Sequence, residues 1–158
     1  MMKKLKNPFE GMEGYNCFGC CHENPIGVKL DFYEDGDFLV SYWTPTPEYQ
    51  GWFHVLHGGI QSVLLDEIAG WTVMRKLQTA GVTSRMETHF IRSVSSEDSR
   101  LTLRAHIVKQ IRHIVQIECL LYNSKDELCT KAICTYYTFD KEKAKEMHFT
   151  ECKTEDEE

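Results

Sequence analysis

The sequence reads HGGIQSVLLDEIAGW from His57 to Trp71, and this stretch predicts the centre of the fold. Two glycines open it, and an apolar run that carries an early carboxylate follows. The first three turns would be apolar nearly all round, which indicates a buried helix. Because apolar residues recur at helical spacing as far as Leu77, we predict a helix over residues 58–77.

The start and the middle of this helix offer different chemistry. A helix start carries unpaired N–H groups and a positive dipole end, which suit a carbonyl oxygen that gains negative charge. Gly58 and Gly59 would let the backbone approach such a ligand closely. Asp66 lies among apolar residues, and a carboxylate suits water activation or direct attack. The residues alone leave open a solvent-facing acid and a helix start without a ligand.

Helical geometry separates the two features. The nine residue steps from His57 to Asp66 span ~13.5 Å and end on roughly opposed faces. One chain therefore cannot easily bring the Gly58 amide and the Asp66 carboxylate onto the same substrate atom. Two antiparallel copies related by a two-fold axis can do so. The stretch predicts a dimeric enzyme that acts on an ester or thioester carbonyl.

Alternating apolar and polar residues predict strands on both sides of the helix. Asp35-Gly36 is a hairpin signal between the first two strands, and residues 123–126 join the last two. The predicted strands cover residues 28–32, 38–42, 82–91, 99–109, 113–122 and 127–139. An antiparallel sheet around one buried helix gives an α+β fold, although the patterns alone do not exclude other α+β folds.

Three segments together resemble acyl-CoA thioesterases of the hotdog fold. They are the HGG start at residues 57–59, Asp66, and GVTS at residues 81–84. The closest branches are the phenylacetate-pathway-type and the THEM-like thioesterases, and CFGC from Cys17 with NPIGVKL from Asn24 resembles the N-terminal segment of the latter. The likeness covers about residues 15–139. It implies a hotdog fold, an acyl-CoA substrate hydrolysed to acid and CoA, a homodimer or dimer of dimers, and no cofactor.

The resemblance also implies roles for individual residues. Asp66 of one subunit would be the general base or nucleophile, and the Gly58 amide of the other, with Gly59 beside it, would polarise the carbonyl. His57 would orient the helix start or help polarise the thioester, and Thr83 would place the water. A structural histidine and a packing threonine are equally expected at these two positions.

The chain departs from its relatives at one polar position. Many of them carry an asparagine six residues before the HGG histidine, where this sequence has Gly51. Gln50, the neighbouring amide, and His54 are the two candidates to assist the carbonyl in its place. In the same loop, Trp52 and Phe53 are candidates for lining an acyl pocket because they precede the helix. Arginines on the later strands are candidates for CoA phosphate contacts, with exposed charge as the alternative.

The cysteines predict neither a metal site nor disulfides. Cys17, Cys20 and Cys21, with His22, resemble half of a zinc site, but no second pair at regular spacing completes it. We expect a packed thiol cluster and no metal. The basic segment Met1–Lys6 leads into Asn7-Pro8 rather than an apolar stretch, so we expect no signal peptide. Seven cysteines are then most simply reduced thiols in the cytoplasm.

Length and charge bound the remaining possibilities. A chain of 158 residues predicts one domain. We expect an arm over residues 1–26, a hotdog domain over 27–140 and a charged tail over 141–158. The tail should begin as a short helix and fray into disorder. A net charge of −6 argues against nucleic acid as a partner, and no apolar run is long enough to cross a membrane.

Two other functions fit the same fold. One is a non-catalytic protein that binds acyl thioesters, although such regulators usually carry a DNA-binding domain that the short arm cannot hold. The other is a hotdog hydratase or dehydratase, in which a catalytic histidine pairs with an acid in local patterns that this sequence lacks.

Overall fold

The structure is a computed structural model that describes all 158 residues. One long helix, α1, follows the third of seven strands, and a short helix, α2, follows the last. A 3-10 turn at Pro47–Tyr49 precedes α1. The elements are β1 (Lys3–Lys4), β2 (Tyr33–Asp35), β3 (Phe38–Trp43), α1 (Gly58–Leu77), β4 (Gly81–Phe90), β5 (Leu101–Ile111), β6 (Ile114–Tyr122), β7 (Leu128–Thr138) and α2 (Lys141–Glu146).

The seven strands form one antiparallel sheet in the order β1-β2-β3-β5-β6-β7-β4. Helix α1 packs against five of them, from β3 through β7, so the sheet wraps around the helix. Leu64, Leu65 and Ile68 of α1 are completely buried in this core. The α+β hotdog arrangement expected from the sequence is confirmed. None of the helices combines the length and the apolar character of a membrane-spanning segment.

Helix α1 covers the residues predicted for it, and both of its ends are defined by local interactions. His57 caps the start, where its Nδ1 accepts a hydrogen bond of 2.8 Å from the Gly59 N–H. Gln78 ends the helix in the left-handed conformation, with φ of 52°. The positive charges of Arg75 and Lys76 lie in the last turn, where they interact favourably with the negative end of the helix dipole. Both side chains also contact Glu34.

Strand β4 begins four residues after the end of α1 and lies at one edge of the sheet. It pairs with β7 along one side only, so its other side presents unpaired backbone groups. Most of its side chains are exposed, including Val82 and Phe90. A ten-residue edge strand of this kind is a template for pairing with a second chain.

The strand predicted over residues 28–32 is wrong, although the burial that its pattern indicated is correct. Val28, Leu30 and Phe32 are buried, but regular pairing with β3 begins only at Tyr33. The Val28 and Leu30 amides instead donate to carbonyl oxygens of Phe18 and Gly19. Lys29 lies between them at a φ of 55°, which interrupts the strand.

The N-terminal arm and the C-terminal tail pack together. Leu5 forms a β-bridge with Thr154, and the rings of Phe9 and Phe149 lie 6.4 Å apart. The predicted short helix is present as α2, but the following residues do not fray, because Phe149, Cys152 and Thr154 are buried. Arm and tail together form a second layer beside α1.

Candidate active site

A cavity of about 710 Å³ lies between α1, the start of β4, the arm and the tail. Most of the residues that line it are apolar, among them Phe9 of the arm, Trp71 of α1 and Phe149 of the tail. Asp66 and Thr83 lie in its wall, so the structure brings two of the predicted site residues together. The combination of an apolar cavity with a few polar groups is typical of a ligand site.

The Asp66 carboxylate is held by two hydroxyl groups through one of its oxygens. Thr83 Oγ1 and the Tyr136 hydroxyl each donate a hydrogen bond of 2.7 Å to Asp66 Oδ1. The Tyr136 hydroxyl is also 2.8 Å from the Asp66 carbonyl oxygen. No protein group donates to Asp66 Oδ2. The carboxylate is therefore oriented while one oxygen remains free to accept from water or substrate.

Tyr136 is a site residue that sequence reasoning missed. It is buried, and burial together with the nearby Asp66 charge raises the pKa of Tyr136 well above its usual value. The phenol therefore stays protonated and acts as a donor. Gly70 makes room for it, since a Cβ there would lie 3.3 Å from the Tyr136 oxygen. Tyr136 pairs directly with Thr83 across β7 and β4. The sequence does not show this pairing, so it gave no signal for Tyr136.

The glycine helix start is not part of the same cavity in one chain. His57, Gly58, Gly59 and Gln50 do not line the cavity that contains Asp66. The Gly59 N–H is already bonded to His57, whereas the Gly58 N–H makes no hydrogen bond. The ring of Phe90 covers Gly58, since a Cβ there would lie 3.3 Å from it. Of the two predicted amides, only that of Gly58 therefore has no hydrogen-bond partner within one chain.

The loop before α1 differs from the expectation for its aromatic residues. Trp52 and Phe53 stack on each other with ring centroids 5.7 Å apart, but they are 79% and 75% exposed and do not line the cavity. Gln50 is exposed and forms a backbone bridge with Leu56. Gly51 lies against His57, because a Cβ at Gly51 would be 3.1 Å from the His57 Cα. A side chain at this position would displace the cap of α1.

Comparison with known proteins finds one matching family model. The family model of the thioesterase superfamily matches residues 53–130. No curated protein sequence matches the chain. Several solved structures have a similar fold at low sequence identity, and a similarity of this kind supports the fold alone.

Three of these structures show the extent of the similarity. A hypothetical thioesterase with coenzyme A from Streptococcus pneumoniae TIGR4 is 22% identical, with a TM-score of 0.64 over 70% of this chain and 85% of that one. The protein smu.793 from Streptococcus mutans UA159, bound to acetyl CoA, is 18% identical, with a TM-score of 0.66 over 75% and 95%. Zebra fish thioesterase superfamily member 2 is 18% identical, with a TM-score of 0.63 over 70% and 82%. Residues 53–130 therefore match the thioesterase superfamily, and the chain has the hotdog fold of these structures.

Proposed function

We propose that the protein hydrolyses an acyl-CoA thioester to the free acid and CoA. The observation that carries this proposal is the Asp66 carboxylate, which two hydroxyl groups hold in the wall of an apolar cavity. The apolar wall suits an acyl chain, and the carboxylate suits the chemistry of its carbonyl. Two similar structures, described as containing coenzyme A and acetyl CoA, support CoA as the thiol part.

The arrangement favours Asp66 as a general base. Its free oxygen, Oδ2, accepts a proton from water, and Thr83 can accept a second hydrogen bond from that water while it donates to Asp66. The resulting hydroxide adds to the carbonyl carbon, and the carbonyl oxygen gains the negative charge. When the C–S bond breaks, the proton held by Asp66 passes to the departing thiolate of CoA. The acid and free CoA are then released.

A second copy of the chain would supply the oxyanion donor. Gly58 is at the start of α1, eight residues before Asp66, so ~12 Å of helix separates the two in one chain. The Gly58 N–H is free, and β4 presents an unpaired edge. Pairing across a two-fold axis would set each glycine start beside the partner's aspartate, with His57 holding the cap and Gln50 nearby. The assembly would be a dimer or a dimer of dimers.

The free thiols suit a reducing compartment such as the cytoplasm. All seven cysteines are unpaired in the structure. Such thiols persist where cellular reductants keep them reduced. We therefore place the enzyme in the cytoplasm.

A panel of acyl-CoA substrates tests the proposed function. Purified protein is incubated with short, medium, long and aromatic acyl-CoAs, and free thiol is measured with time. We expect thiol release with at least one of them. Binding without thiol release would instead indicate an acyl-thioester-binding protein. Conversion of an enoyl-CoA or hydroxyacyl-CoA with the thioester intact would indicate a hydratase or dehydratase.

A further inference from the structure

A cluster of metal-ligating groups lies in the cavity wall next to the candidate active site. Cys17 and Cys20 belong to a turn of the N-terminal arm, and Glu67 follows Asp66 on α1. One donor atom from each of the three lies within 4.8 Å of the other two. Cys17 Sγ is 3.4 Å from Glu67 Oε1. The proposed hydrolysis uses none of these three groups.

The surrounding contacts hold the thiols in place. The Gly19 N–H donates to Cys17 Sγ at 3.3 Å, and the Tyr15 hydroxyl lies 2.9 Å from Cys20 Sγ. Gly19 also lets the turn lie directly on the Glu67 carboxyl, because a Cβ there would be only 2.3 Å from Glu67 Cδ. No other residue could keep this backbone position without displacing the carboxyl. The cluster is therefore built by the packing of the arm on α1.

The charges in the cavity favour a cation. The residues that line it include Asp66 and Glu67 but no lysine or arginine. No lysine or arginine of the cavity wall would therefore compete with a cation for these three groups.

We propose that Cys17, Cys20 and Glu67 bind a zinc ion that joins the arm to α1. Zinc takes thiolate and carboxylate ligands in tetrahedral geometry, with bonds of about 2.3 Å to sulfur and 2.0 Å to oxygen. Those lengths give ligand separations of about 3.8 Å between two sulfurs and about 3.5 Å between sulfur and oxygen. The distance of 3.4 Å between Cys17 Sγ and Glu67 Oε1 matches the second value. All three side chains line the cavity, from which a fourth ligand such as water would complete the tetrahedron.

This site differs from the expectation of no metal drawn from the sequence. That expectation was based on the missing second cysteine pair, whereas the third ligand here is a glutamate from a distant segment. Zinc binding would displace the protons of Cys17 and Cys20, because a thiol binds the metal as a thiolate. The ion would fix one wall of the cavity and leave the Asp66 carboxylate free.

Cobalt(II) is the probe that tests the site, since its bonds to thiolates absorb in the near ultraviolet. The full chain, reduced with a phosphine, is titrated with Co²⁺ and then with Zn²⁺. We expect one Co²⁺ per chain, a thiolate-to-metal absorption band, and loss of that band when Zn²⁺ displaces cobalt. Cys17→Ser, Cys20→Ser and Glu67→Gln should each weaken binding by more than about tenfold. Cys21→Ser is the matched control, because Cys21 is buried beside the cluster but is not part of it.

Two results would overturn the zinc site. One is the absence of the band in reduced wild-type protein whose circular dichroism shows a folded chain. The other is unchanged cobalt binding in the Cys17→Ser or Cys20→Ser variants. If a ligand variant unfolds, the wild-type titration and the Glu67→Gln variant still decide the matter. A Cys17–Cys20 disulfide in unreduced protein, with no metal bound after reduction, would assign the pair to redox chemistry and exclude the zinc site.

Discussion

Replacing Tyr136 with phenylalanine tests how the candidate active site is held together. The change removes the hydroxyl group and keeps the ring, so the packing against Gly70 and the core is preserved. Asp66 Oδ1 then loses its 2.7 Å bond from Tyr136 and retains the bond from Thr83. A hydrogen bond to a charged group contributes about 1.5–3 kcal/mol. Because 1.36 kcal/mol corresponds to about tenfold in rate, we expect kcat to fall by about ten- to 150-fold.

The assay is steady-state thiol release with the best acyl-CoA of the panel. KM should change less than kcat, because Tyr136 orients the carboxylate and the apolar wall binds the acyl chain. Tyr137→Phe is the matched control: Tyr137 is the next residue of β7, is 42% exposed and makes no hydrogen bond with Asp66. If Tyr136→Phe has the kcat and the melting temperature of wild type, Asp66 does not depend on Tyr136 and the reasoning is wrong.

Two further predictions concern assembly and stability. Mixing equal amounts of inactive Asp66→Asn chains and inactive Gly58→Val chains should restore about a quarter of wild-type activity. Half of the dimers are then hybrids, and each hybrid has one intact site of two. No recovery despite proven subunit exchange would argue against a shared site. Hydrogen bonds from Arg75 and Lys76 lower the pKa of Glu34, so its stabilising effect is present above the unfolded-state pKa and is lost as pH falls through the lower folded value. Glu34→Gln should therefore lower the melting temperature at pH 7 and have little effect in strong acid, and equal loss at both pH values would contradict this.

The elements that the sequence predicted correctly are those in which local pattern and tertiary role agree. The apolar residues of α1 recur at helical spacing, and the helix is buried as that spacing requires. Over residues 28–32 the alternation of apolar and polar residues predicted correctly which side chains are buried. Lys29 nevertheless takes a left-handed conformation, and the backbone forms hydrogen bonds with the arm. Alternation shows which side chains are buried, but it does not show which backbone partner accepts the hydrogen bonds.

The parts of the candidate site that the sequence did not predict depend on long-range register. Tyr136 reaches Asp66 because β7 pairs with β4 in one particular alignment. Glu67 meets Cys17 because the arm folds over α1. Trp52 and Phe53 were candidates for lining a pocket, but only the tertiary structure shows that they are exposed and do not line the cavity. Such contacts join residues far apart in the chain, and no local pattern encodes them.

The central claim is that the Asp66 carboxylate drives thioester hydrolysis, and the Asp66→Asn variant tests it most directly. The amide keeps the shape of the side chain but cannot accept a proton from water as a carboxylate does. With thiol release as the assay, and with circular dichroism and oligomeric state equal to those of wild type, we expect kcat to fall by at least about a hundredfold. Asp37→Asn, at an exposed acid in the hairpin between β2 and β3, is the control and should keep full activity. Turnover by Asp66→Asn within about threefold of wild type would contradict the account, because so small a change is well below one tenfold step in the barrier.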